Sequence, residues 1–192
     1  MEIPSKPKPL SIRWTSVQKS SLAGLSAIRK NAVGIKGAVA SFLGVSIDSL
    51  TFDHFCLQAS SPKAFNDLKT KLKSDYEEAA SITHHGREIV TLRQRSAPHD
   101  VIELASPKPG TDYHGSPSVF VEHIAFALSD QQYFNGYYDR AKNEDVKTFE
   151  VGEHRGVKPT GREIADSTAC APTARKLLER FAFVEIRNIP MI

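Results

Sequence analysis

The chain has 192 residues, 40% of them apolar and 24% charged, a composition typical of one globular domain or of two small modules sharing a core. No apolar run approaches the ~18 residues a membrane-spanning helix needs. The two cysteines, Cys56 and Cys170, are too few for a disulfide framework or a closed thiolate zinc site, so a reducing, cytoplasmic setting is expected. The net charge of +3 is uneven: residues 1–47 hold seven basic residues and one acid, while the rest carries 18 basic against 21 acidic residues. A mildly acidic body argues against a nucleic-acid surface there.

Pro4, Pro7 and Pro9, with lysines between them, predict an extended tail over residues 1–12. Between Thr15 and Phe42 the spacing of Val17, Leu22, Leu25, Ile28, Val39 and Phe42 suits one or two amphipathic helices, giving a helical layer over residues 13–47. The same Ser-rich, basic composition also fits an organelle transit peptide. Gly44 is a helix stop.

A first module is expected over residues 48–110. Its strand covers Phe52 to Gln58, and Ser61-Pro62 caps a helix whose buried stripe is Ala64, Phe65, Leu68 and Leu72. Strands Tyr76–Thr83 and Arg87–Arg95 follow, joined by a turn at His84-His85-Gly86, then Asp100–Ala105, ended by Ser106-Pro107-Lys108-Pro109-Gly110.

A second module, residues 111–192, repeats the order. After a loop from Tyr113 to Ser118, the strand Phe120–Leu128 echoes Thr51–Gln58, each carrying a histidine near its start. Ser129-Asp130-Gln131-Gln132 has the form of a capping box before a helix through Tyr133, Phe134, Tyr137, Tyr138 and Ala141. Val146–Val151 and Phe181–Asn188 read as strands. Gly152–Pro172, including Gly161-Arg162-Glu163, reads as loop, and Ala174–Arg180 as a helical turn or hairpin arm. The expected fold is α+β: two βαβββ modules joined into one curved, mostly antiparallel sheet, whose concave face forms a pocket.

Strand residues two apart share a face, so His54, Cys56 and Gln58 point one way. Glu103 and Glu185 are single acids within otherwise apolar strands, where an ionised carboxylate is costly unless paired or bound to a cation. Together with His123 among small neighbours they suit a divalent cation. Mixed nitrogen and oxygen donors favour zinc, iron, nickel, manganese or cobalt over calcium. Cys56, Gln58, Arg93 and Arg95 are further pocket candidates. Glu122, on the opposite face, is an alternative ligand, and His84-His85 reads as a solvated hairpin tip.

These motifs resemble the vicinal oxygen chelate superfamily, which includes glyoxalase I, extradiol dioxygenases, methylmalonyl-CoA epimerase and fosfomycin-resistance proteins. Within it, Asp53-His54, the Glu103-Leu104 to Pro109-Gly110 turn and Glu122-His123-Ile124 are similar to the bacterial YecM-type proteins, with a turn one residue longer here. The resemblance implies metal ligands at His54, Glu103, His123 and Glu185. It also implies a metal-dependent isomerase or lyase acting on a small oxygen-chelating substrate, with Glu185 moving a proton. A ferrous dioxygenase using His54, His123 and one glutamate is an alternative, as is a non-catalytic binding module of the same fold. A third reading gives the basic arm an acidic partner. Dimerisation is left open.

Overall fold

The computed structural model describes residues 27–144, 146–151 and 153–189. The expected tail and the start of the helical layer lie outside them. Residues 27–30 are helical, and helix α1 (Ala32–Leu43) ends where Gly44 takes a left-handed φ of 72° and donates its N–H to Ser41.

The first module runs β1 (Leu50–Ala59), α2 (Pro62–Leu72), β2 (Tyr76–His84), β3 (Arg87–Gln94) and β4 (Val101–Ala105). Ser61 caps α2 by accepting the N–H of Ala64 at 3.1 Å, and the stripe Ala64, Phe65, Leu68, Leu72 is buried. The β2–β3 turn places His85 and Gly86 at φ 49° and 74°, the paired left-handed residues of a tight hairpin.

The second module runs β5 (Val119–Leu128), α3 (Gln131–Asn143), β6 (Thr148–Val151), β7 (His154–Val157), α4 (Gly161–Ser167), α5 (Pro172–Leu178) and β8 (Phe183–Arg187). Three expectations change here. His154–Val157, within the stretch expected as loop, is strand β7, paired with β6 and β8. The cap of α3 is Asp130, whose Oδ1 accepts the N–H of Tyr133 at 2.8 Å; Ser129 still belongs to the strand end, bonded to the Ser49 carbonyl. Gly161-Arg162-Glu163 is the first turn of α4, not a loop, with a reciprocal capping box between Thr160 and Glu163. Glycine is needed there because a Cβ on Gly161 would sit 1.9 Å from the Leu178 carbonyl oxygen.

The eight strands form one curled sheet in the order β2-β3-β4-β1-β5-β8-β7-β6, a glyoxalase-like architecture. The modules meet at the antiparallel pair β1 and β5, and each central strand is flanked by a parallel partner, β4 or β8. The two faces differ sharply. Phe55, Leu57, Ile102, Leu104, Ile124, Phe126, Val184 and Ile186 belong to the main apolar core, which also takes in buried side chains of every helix. Each such fully buried side chain contributes roughly 1.5–3 kcal/mol. The other face holds a small apolar cluster of Cys56, Ile89 and Ala105 and most of the buried charged groups.

Candidate metal centre

The four strands β4, β1, β5 and β8 lie side by side, and each brings one expected residue to the concave face: Glu103, His54, His123 and Glu185. His54 Nε2 is 3.3 Å from His123 Nε2 and 3.3 Å from Glu103 Oε2. His123 Nε2 is 3.8 Å from Glu103 Oε2 and 3.8 Å from Glu185 Oε2. All four side chains are buried or nearly so. Donor atoms sharing one ion at bonds of ~2.0–2.2 Å lie about 3–3.5 Å apart along the edges of a tetrahedral or octahedral shell; the two contacts of 3.3 Å fall in that range and the two of 3.8 Å lie just outside it. His54, His123 and Glu185 present donor atoms within 4.8 Å of one another, as do Cys56, Glu103 and His123.

Two β-bulges bring more charge onto this face than simple alternation allows. Between Phe52/Phe126 and His54/Ala125 the extra residue is Asp53; between Cys56/His123 and Leu57/Val121 it is Glu122. Each bulge turns an acid toward the face of the histidine that follows it. Asp53 Oδ2 lies 3.0 Å from His54 Nδ1, and Glu122 Oε2 accepts from the Cys56 thiol at 3.6 Å. Glu122 is therefore not on the opposite face, as strict alternation would have it.

Permanent cations surround these acids. Arg187 donates from Nε to Glu185 and lies 3.5 Å from Asp53 through Nη1, while Lys158 Nζ is 3.3 Å from Glu185 Oε2. Arg87 donates to Glu122 Oε2 at 3.2 Å and to Gln58 Oε1 at 2.8 Å, and Lys108 also binds Glu122.

The imidazoles differ in charge. Burial opposes a proton on His54, but the Glu103 carboxylate and the Asp53 hydrogen bond outweigh it and raise its pKa to about 9. Burial, reinforced by the neighbouring His54, lowers His123 to about 4, against the pull of Glu185 and Glu103. Burial works against ionised Glu122 as well, yet His123, Lys108 and Arg87 bring it down to about 2. Glu103 and Glu185 are likewise held below the usual carboxylate range, against their burial, chiefly by the imidazole each one faces. The Cys56 thiol is pushed well above its ordinary value by burial, which disfavours a nucleophilic role.

Other expected pocket residues sort by position. Gln58 is a strut: its amide donates to the Ser106 carbonyl at 2.7 Å and its oxygen holds Arg87. Arg93 shares the face of Glu103, two rungs along, with its Nε buried and unpartnered among the described residues. Arg95 does not join the centre. It pairs with Glu77 and lines a separate groove with Lys69, Lys73 and Tyr76, because β3 brings its opposite end, Arg87, to the site.

Asp53 and Lys108 enter the sequence reading only as parts of the Asp53-His54 motif and the Pro107–Gly110 turn, with no role of their own, and Arg87, Lys158, Phe183 and Arg187 are not assigned to the site there. Phe183 and Arg187 had a usable signal, since each is two residues from Glu185 and shares its face. Phe183 stacks on His123 with ring centroids 4.5 Å apart.

No protein-family model matches the chain, and no curated protein does. Among solved structures, one described as "Structural Genomics, Protein EC4020" aligns with a TM-score of 0.52 at 15% identity, covering 96% of each chain. At that identity the likeness is one of fold. Methylmalonyl-CoA epimerase from Mycobacterium tuberculosis gives 0.43 at 11% identity over 71% of this chain and 85% of its own. A 2,2',3-trihydroxybiphenyl 1,2-dioxygenase from Sphingomonas wittichii gives 0.42 at 13%, over 72% of this chain and 43% of its own. Among the described residues no helix is long and apolar enough to cross a membrane.

Proposed function

We propose that the protein binds one divalent metal ion through His54, Glu103, His123 and Glu185 and acts as a metal-dependent isomerase or lyase on a small oxygen-chelating molecule. The observation carrying this reading is the approach of His54 Nε2 and His123 Nε2 to 3.3 Å, with a carboxylate oxygen from a neighbouring strand beside each. Two imidazole nitrogens aimed at one point repel if both are protonated, and gain from sharing a cation.

Surrounding contacts fit the same role. Asp53 accepts at His54 Nδ1, which turns Nε2 inward and fixes its tautomer, the usual outer support of a ligating histidine. Phe183 holds the His123 ring by stacking. Arg187 grips Glu185 Oε1, leaving Oε2 turned toward His123 and Lys158. Glu185 is accordingly the group assigned to take and return a substrate proton, and the buried concave face limits water. The ion, when bound, would polarise substrate oxygens as a Lewis acid. The finer kinship with YecM-type proteins rests on the Asp-His, Glu-Leu and Glu-His-Ile motifs.

The rival is a non-catalytic binding module that never takes a metal. It is favoured by one observation: Asp53, Glu122 and Glu185 already have arginine or lysine partners. Calorimetric titration of metal-stripped protein separates the two. The metal reading expects about one equivalent of manganese, nickel, zinc, cobalt or ferrous ion, and no binding in His54→Ala or His123→Ala. Equal heats in wild type and both variants would favour the module.

A further inference from the structure

On the concave face the carboxylates and permanent cations form a matched set. Arg187 binds Asp53 and Glu185, Lys158 binds Glu185, Arg87 and Lys108 bind Glu122, and Glu103 faces the two imidazoles. Asp53, Glu103, Glu122 and Glu185 thus stand against Arg87, Lys108, Lys158 and Arg187. A dication between neutral imidazoles would leave two positive charges uncompensated. In a buried site an excess of that size is costly. Arg93, farther along the same face, adds to the positive side.

Lys158 is placed to meet the compensating group. Its ammonium contacts Glu185 Oε2, the oxygen that faces His123 Nε2, so an ion taking that oxygen would weaken the ammonium's existing pair. Its side chain is 28% exposed and lies over the rings of Phe149 and Phe183, with Nζ 4.5 and 4.8 Å from their centroids. Lys108, beside Glu122 at the Pro107–Gly110 turn, is 48% exposed and supplies a second ammonium.

Building on the metal site proposed above, we propose that the ligand of this centre is a small dianion, such as a dicarboxylate, engaged by Lys158, and that metal and anion bind with positive coupling. Coupling of this kind is reciprocal: whatever factor the anion adds to metal affinity, the metal adds to anion affinity. A neutral diol should gain little.

The test titrates metal-stripped protein with Mn2+, reading the free ion by its paramagnetic resonance signal, in malonate and in acetate at equal ionic strength. Malonate should tighten Mn2+ binding about tenfold or more, although by itself it competes for the ion in solution. Lys158→Met should bind Mn2+ alone at least as well as wild type, because a like charge has gone, yet lose most of the malonate effect. Lys158→Arg should keep it. A purely structural role for Lys158 would weaken both titrations together and overturn its assignment, as would a full malonate effect in Lys158→Met. Equal Mn2+ binding in acetate and malonate would overturn the dianion while leaving the metal site standing. No binding of Mn2+, or of Ni2+ by calorimetry, in any condition would remove the metal site and this inference with it.

Discussion

The two modules place the same pair, an acid followed by a histidine, on a bulged central strand, and give the two rings opposite characters. In the first, Asp53 reaches His54 Nδ1 at 3.0 Å, and the ring is held charged between Asp53 and Glu103. In the second, Glu122 stops 3.9 Å from His123 Nδ1, which has no hydrogen-bond partner among the described residues. Arg87 and Lys108 hold Glu122, and His123 is positioned by stacking on Phe183, its pKa lowered by burial and by His54. A repeated dipeptide therefore does not repeat a protonation state. Burial lowers both rings, but at His54 the facing Glu103 and Asp53 outweigh it, and at His123 burial and the neighbouring His54 prevail over Glu185 and Glu103.

The largest expected effect comes from Arg87→Met. It leaves Glu122 buried with Lys108 as its remaining cation, and should cost about 2–4 kcal/mol in urea denaturation. It should also let Glu122 turn toward His123 and raise the ring's pKa by NMR. An unchanged His123 titration would show that Arg87 does not set the difference between the modules.

Asp53→Asn attacks the first module. Exchanging the carboxylate that orients His54 for a neutral amide, which can present N–H in place of oxygen, should weaken metal binding roughly 10- to 100-fold, measured by calorimetry. The corresponding Glu122→Gln should cost less, because Glu122 does not hold the His123 ring.

The metal-free protein should be most stable near pH 6.5 as far as these two rings decide it. His54, raised from 6.5 to about 9, contributes stability that is complete below its unfolded value and is lost as pH rises through about 9. His123, lowered from 6.5 to about 4, makes the folded state resist a proton that the unfolded chain accepts, so stability falls as pH drops from 6.5 through about 4. Thermal melts across this range should show both limbs, and Asp53→Asn should move the alkaline one to lower pH, Glu103 still holding part of the rise. A control outside the centre, Asp130→Ala at the cap of α3, should cost ~1 kcal/mol and leave both limbs intact.

Much of the fold is legible in local chemistry. Ser61-Pro62 marks a helix start and His85-Gly86 a hairpin turn, while the apolar runs around His54, Glu103, His123 and Glu185 mark the four central strands. The bulges are not legible, because alternation assigns Asp53 and Glu122 to the face away from their histidines, and an inserted residue depends on pairing with another strand. The cations are hidden for a related reason. Arg87, Lys108 and Lys158 come from strand ends and a turn, where basic residues are ordinarily solvated, and the sheet's curl brings them to the buried acids. Helix α4 is masked by glycine at its first position, a residue kept there by contact with the Leu178 carbonyl rather than by helix propensity.

The most direct test of a shared ion between the two unlike histidines is anomalous X-ray scattering from crystals grown with Mn2+ or Ni2+. One anomalous peak within ~2.0–2.3 Å of both His54 Nε2 and His123 Nε2, with Glu103 and Glu185 completing the shell, is the result expected. Fully occupied side chains with no anomalous peak between the rings, and His54 still paired to Glu103, would contradict it.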